Sequence, residues 1–231
     1  MQEATHKALE LAYQAILSDE AIARLEQVKT DREGVFLSSA SANPVNLMIV
    51  GRETTSWFGG SRKTHITPGE EYLTASAKGH WQSAGQLAGS SKFRQLYRKA
   101  EKDMEPIGCS VSWHSPFAIS YTKNYPVRYG EFENIAKLSR KLLSAQIEIL
   151  KPKATLLALE PNHDIYTENF FQGRLTKIKA YERRKLWGFG IDGAPCFRTI
   201  HPRHAQGELS PINSLELPLE NTTSTKNKDK T

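Results

Sequence analysis

The stretch Val45-Asn46-Leu47-Met48-Ile49-Val50-Gly51-Arg52-Glu53-Thr54-Thr55-Ser56-Trp57 decides how the rest of the chain is read. Val45, Leu47, Met48, Ile49 and Val50 make a short, nearly continuous apolar run. Such a run suits a strand covered on both faces, as in a parallel sheet flanked by helices. It stops at Gly51, and four polar side chains follow: Arg52, Glu53, Thr54 and Thr55. In open α/β sheets ligands bind beyond the carboxyl ends of the strands. A glycine there lets backbone approach a ligand, and a carboxylate there can act on one. An ordinary strand running into a polar loop has the same pattern, so the stretch needs company before it means a site.

Three further apolar runs end the same way. Cys109 to Trp113 runs into His114-Ser115-Pro116-Phe117, and Ala154 to Leu159 into Glu160-Pro161-Asn162-His163-Asp164. Cys196 to Ile200 runs into His201-Pro202-Arg203-His204. Between them, Ser91 to Ala100 reads as a helix with a basic outer face, and Glu131 to Leu150 as the clearest helix in the chain. The latter has Phe132, Ile135, Leu138, Leu142, Leu143, Ile147 and Leu150 as its apolar stripe and Pro152 as its stop. A short helix is expected around Ile165 to Phe171, ending at Gly173. Leu175 to Phe189 is basic and ambiguous, with Thr176, Ile178 and Ala180 alternating like an edge strand. Strands alternating with helical crossovers predict an α/β fold, three-layer α/β/α, with a central, mainly parallel four-stranded sheet. Parallel strands would bring all four polar strand ends to one edge.

The flanks are plainer. Residues 3–28 carry Leu9, Leu11, Ala12, Ile16, Leu17, Ile22 and Leu25 at helical spacing, as one amphipathic helix or two broken near Ser18-Asp19. Thr30 to Pro44 reads as a loop. Phe58 to Ser90 is long, glycine-rich and irregular, yet holds Phe58, Tyr72 and Trp81; loops of that length are commonly functional or disordered. From Gly207 the chain is Ser-, Pro-, Asn- and Lys-rich. One domain over residues 1–206 with a flexible tail over 207–231 is expected.

Composition narrows the function. The 231 residues suit one soluble globular domain, and the start Met1-Gln2-Glu3-Ala4-Thr5-His6 has no apolar signal region, so a cytoplasmic location is expected. No segment reaches the roughly 18 to 20 apolar residues of a membrane span. Two cysteines, Cys109 and Cys196, argue against a disulfide framework or an iron–sulfur cluster and are expected to be small core residues. The net charge of +6, with a pI near 9.2, suits an anionic partner such as nucleic acid, though part of the excess lies in the tail. His114, His163, His201 and His204 have no metal-ligand spacing, so no metal is expected. No phosphate-binding loop, Gly-x-Gly-x-x-Gly fingerprint or nucleophile elbow occurs, which weighs against nucleotide hydrolases, dinucleotide enzymes and α/β-hydrolases.

The strand-end constellation resembles the uracil-DNA glycosylase superfamily over about residues 45–205. Gly51-Arg52-Glu53-Thr54-Thr55-Ser56 stands where that family has Gly-Gln-Asp-Pro-Tyr-His or a relaxed version, and His201-Pro202-Arg203-His204 stands for its His-Pro-Ser motif. Trp113-His114-Ser115 stands where the family has an aromatic and an Asn-bearing strand end. The resemblance implies a monofunctional glycosylase that flips a base out of DNA and hydrolyses its glycosidic bond, without a cofactor and as a monomer. It implies Glu53 and His201 as catalytic residues, and Gly51, Arg52, Thr54, Trp57, Trp113, His114 and Ser115 around the base. Arg62, Lys63, Arg203 and His204 would hold DNA. Glu replaces the usual Asp, Thr54-Thr55 replaces the Pro-Tyr wall, and His114 stands for the uracil-reading Asn. Those departures point from strict uracil selectivity toward a bulkier base, such as the hypermodified phage bases that some members of the superfamily excise in host defence. A catalytically silent DNA- or nucleotide-binding member of the same fold is the alternative expectation.

Overall fold

The computed structural model describes residues 2–18, 32–35, 37–38, 44–51, 92–121, 132–159, 163–182 and 186–202. The expectations for residues 19–28, for the stretch 58–90, for Glu160-Pro161-Asn162 and for the tail lie outside the described residues.

The opening stretch forms β2 (Val45–Val50), buried at all six positions. It pairs in parallel with β3 (Ser110–His114) on one side and β5 (Ala154–Ala158) on the other. Neighbours on both edges and cover on both faces explain why its sequence is apolar rather than alternating. β8 (Ala194–Thr199) pairs in parallel with β5, so the strands run β3-β2-β5-β8 as one parallel block.

The fold is α/β, but the expected four-stranded sheet is corrected to a mixed sheet of six. β7 (Leu186–Ile191) joins β8 antiparallel, and β6 (Leu175–Glu182) joins β7 antiparallel at the edge. β7 returns into β8 through Asp192-Gly193, whose φ angles are 50° and 84°. Two left-handed residues in succession match the right-handed twist of a two-residue hairpin, and Asp-Gly is favoured there. Arg174 Nε donates to both Asp192 carboxylate oxygens, at 3.0 and 2.9 Å, and the pairing holds that carboxyl below its usual pKa. The alternation of Thr176, Ile178 and Ala180 does mark a strand at the sheet edge.

The chain divides into two compact units, each discontinuous in sequence. One holds α1 (Gln2–Leu17), β1 (Arg32–Val35), β4 (Ile119–Tyr121) and α3 (Phe132–Leu150). α1 and α3 pack together, and the buried Tyr13 hydroxyl donates to the Ser38 carbonyl (2.7 Å) while accepting from Gln146 (3.1 Å). Burial there drives the Tyr13 phenol far above its ordinary pKa. α1 stops at Leu17, where Ser18 turns its hydroxyl back to the Ala15 carbonyl. β1 and β4 pair as a two-stranded antiparallel ribbon, which corrects the loop expected over Thr30 to Pro44: four residues are too few to show a strand's alternation.

The other unit holds the six-stranded sheet, α2 (Lys92–Met104) and α4 (Asp164–Phe170). α2 buries Phe93, Leu96, Tyr97, Ala100 and Met104, a stripe at three- and four-residue spacing. The Tyr97 hydroxyl lies 3.4 Å from the Val111 carbonyl of β3, which fixes the helix to the sheet. Cys196 is buried as expected, whereas Cys109 is only half-buried because β3 begins one residue later. Among the described residues no helix is long and apolar enough to cross a membrane.

The hairpin turn gives a first test. Gly193→Ala places a Cβ on a left-handed residue and is expected to lower stability by about 1 to 2 kcal/mol, measured by urea unfolding. An unchanged midpoint would mean that the turn does not constrain β7 and β8.

Candidate functional site

Because β2, β3, β5 and β8 are parallel, their carboxyl ends share one edge of the sheet. The chain leaves β2 to form β3 on one side and returns to form β5 on the other. A reversal of strand order of this kind opens a crevice at the carboxyl ends of the two strands that flank it, here β2 and β5. Gly51 stands there, directly after β2, and its N–H donates to the His114 carbonyl of β3 (2.9 Å).

Gly51 has no room for a side chain. A Cβ at this position would run into the ring of Phe93 from α2. That ring lies parallel to the His201 imidazole, with 4° between the planes and 6.1 Å between centroids. Its other neighbour is Trp113 of β3, tilted by 49° at 5.2 Å. Trp113 also packs on Tyr97, at 6.4 Å. Phe93, Trp113 and His201 are 8 %, 6 % and 9 % exposed. Gly51 and His201, some 150 residues apart in sequence, thus meet the same aromatic ring at the ends of β2 and β8.

Of the residues expected at the site, the fold brings together Gly51, Trp113 and His201. His114 follows Trp113 in the same strand and so faces the other side of the sheet. Its imidazole is fully buried, with Nε2 2.9 Å from the Ser112 hydroxyl. Ser115 is buried too, and its hydroxyl donates to the Phe117 carbonyl (2.8 Å). Arg52, Glu53, Thr54, Trp57, Arg62, Lys63, Arg203 and His204 lie outside the described residues. Phe93 was missed in the sequence, because one aromatic in a basic helix carries no motif. The only signal for it was its place in the apolar stripe of α2.

A second polar cluster lies within the same unit. Arg198 of β8, 1 % exposed, donates to the Asp164 carboxylate of α4 at 2.8 Å and lays its guanidinium 4.3 Å from the ring centre of Trp187. Burial pushes the Asp164 carboxyl up and the Arg198 guanidinium down, and each charge pulls the other back. These residues line a cavity of about 30 Å³ together with Thr167, Glu168, Leu175 and Phe189. That space suits water and is far below the roughly 300 Å³ at which ligand pockets begin. The cluster therefore ties α4 to the sheet. His163, just before α4, is buried with its ring edge-on to Tyr166 at 6.0 Å. Among the described residues no group of three or more His, Cys, Asp or Glu is arranged to hold a metal ion.

No family model matches the chain, and no curated protein matches it.

Two stability measurements follow from this geometry. Gly51→Ala should cost about 1 to 3 kcal/mol by overpacking against Phe93, and the same change in a Phe93→Ala background should be nearly neutral. A double-mutant cycle by chemical denaturation reads that coupling, and additive effects would remove the contact from the account. Asp164→Ala leaves the Arg198 charge buried and should cost about 3 kcal/mol, whereas Asp164→Leu with Arg198→Met should recover most of it. No recovery in the double variant would show that the cluster stabilises the fold by more than mutual neutralisation.

Proposed function

We propose that this protein is a DNA glycosylase of the uracil-DNA glycosylase type, hydrolysing the bond between a flipped-out base and its sugar. The three-layer α/β/α arrangement of that family is part of the proposal. The observation that carries it is the meeting of Gly51 and His201 at Phe93, on the carboxyl edge of parallel strands. These glycine and histidine positions come from the two sequence segments that resemble the family's two motifs.

The chemistry suits the residues. Breaking the glycosidic bond develops positive charge on the sugar and negative charge on the departing base. The Glu53 carboxylate, two positions after Gly51, is the group to stabilise the first and to orient the attacking water. The His201 imidazole is the group to donate a hydrogen bond to the second. Phe93 supplies aromatic surface beside His201, with Trp113 on its other side. His114, with its imidazole bonded to Ser112 on the opposite side of β3 from Trp113, is withdrawn from the proposed base contacts. Phe93 fills the space between Gly51 and His201, so admitting a base requires that ring to move. With Thr54-Thr55 in place of a bulkier wall, the favoured substrate is a modified base larger than uracil.

The burial of His201 under Phe93 favours a second reading, a catalytically silent member that binds DNA or a nucleotide. Base release separates the two. The protein is incubated with uracil-containing DNA and with DNA of phages carrying hypermodified bases, and abasic sites are detected by alkaline cleavage. Wild type is expected to generate abasic sites in modified DNA faster than in uracil DNA. Glu53→Ala and His201→Ala should each lower the rate by about 100-fold or more. Binding with no abasic sites on any substrate would replace the glycosylase by the silent reading, and neither binding nor cleavage would sink both.

A further inference from the structure

We infer that the outer face of α2 is the track on which the phosphate backbone of duplex DNA lies. The inference rests on the glycosylase reading for its choice of anion, and on α2 itself for the place. The helix has five basic residues (Lys92, Arg94, Arg98, Lys99, Lys102) and two acidic ones (Glu101, Asp103), an excess of +3 within 13 residues. That is half of the +6 carried by the whole chain. The other described helices differ: α3 has three basic and two acidic residues, α1 one lysine against two glutamates, and α4 two acidic residues and no basic one.

Four of the five basic residues are displayed to solvent. Lys92, Arg98, Lys99 and Lys102 are exposed, while Phe93, Leu96, Tyr97, Ala100 and Met104 form the buried stripe. Both acidic residues are engaged locally. Asp103 pairs with Lys99 at 2.8 Å, and Glu101 stands one turn after Arg98, whose charge acts on its carboxyl. Lys92 and Lys102 are then the cations offered whole to a partner, with Arg98 between them partly offset by Glu101. Glu105, exposed in the short turn after the helix, sets the far limit of the basic surface.

Position joins this surface to the site. Phe93 reaches Gly51 and His201 from the buried side of the same helix, so Lys92 beside it stands about one helix diameter, roughly 10 Å, from the strand ends, and Arg98 and Lys102 follow along the helix away from that edge. From Lys92 to Lys102 the helix rises about 15 Å, which equals the rise of roughly four base pairs along the DNA axis. A backbone lying there sits on the element whose Phe93 ring must move to admit a base, so DNA contact and opening of the site act on one helix.

The test compares the full-length protein with two triple charge reversals. The first is Lys92→Glu, Arg98→Glu, Lys102→Glu. The control is Lys7→Glu, Lys137→Glu, Arg140→Glu, all exposed on α1 and α3, which changes formal charge equally. Binding of a fluorescein-labelled duplex of ordinary bases is titrated between about 50 and 200 mM salt, the range over which phosphate contacts weaken steeply. The α2 variant should bind at least about tenfold more weakly at the lower salt, and its log–log salt slope should fall by up to about 2.7, or 0.9 for each lost contact. The control should stay close to wild type. Lys92→Gln, Arg98→Gln, Lys102→Gln repeats the measurement without adding negative charge to the helix, and circular dichroism checks that each variant is folded.

Equal losses in both reversals would overturn the inference, since net charge alone would explain them. It would also fall if wild type bound anionic vesicles but not DNA, or if the α2 variants bound as wild type does. A normal slope change without abasic sites on any substrate would refute catalysis and leave the track standing. Base release with an unaffected slope would do the reverse.

Discussion

The second unit depends on β2 being a parallel strand with neighbours on both edges. A strand so placed is hydrogen-bonded along both edges and has neither face in water, and only an apolar run fills both faces. Its parallel neighbours then have to terminate at the same edge. From that constraint follow the grouping of Gly51 with the end of β8, the reversal of strand order at β2, and the need for a helix to close the edge over the glycine. Phe93 of α2 closes it.

The elements legible in the sequence were those whose apolar residues form a strong local pattern. β2, β3, β5 and β8 were readable as continuous apolar runs, and α3 as a stripe whose Ile135, Leu138, Leu142, Leu143, Ile147 and Leu150 are all buried. The β6–β7 hairpin was obscured because β7 alternates buried with half-buried positions and contains two glycines. Asp192-Gly193 was the available signal there. β1 and β4, at four and three residues, are too short for any periodicity and are defined by pairing with each other.

The candidate site was legible in part for the same reason. Gly51 and His201 stand at strand ends, and strand ends can be read once the strands are found. Trp113 and His114 were both placed at the base, although the two-residue period of a strand sends neighbours to opposite faces. Arg198 could not be read as buried, because its carboxylate partner, Asp164, is distant in sequence and the pair exists only after folding. A charge inside an apolar strand otherwise argues against that strand.

The fit of Phe93 over Gly51 has an evolutionary consequence. A substitution at either position changes the volume that the other must accommodate: a side chain at 51 calls for a smaller one at 93, and a smaller one at 93 leaves a void that a residue larger than glycine at 51 would fill. Among descendants of this sequence the two positions should drift together, although more than 40 residues separate them in the chain. A lineage that keeps an aromatic at 93 is bound to glycine at 51, and with it to an unobstructed backbone at the end of β2.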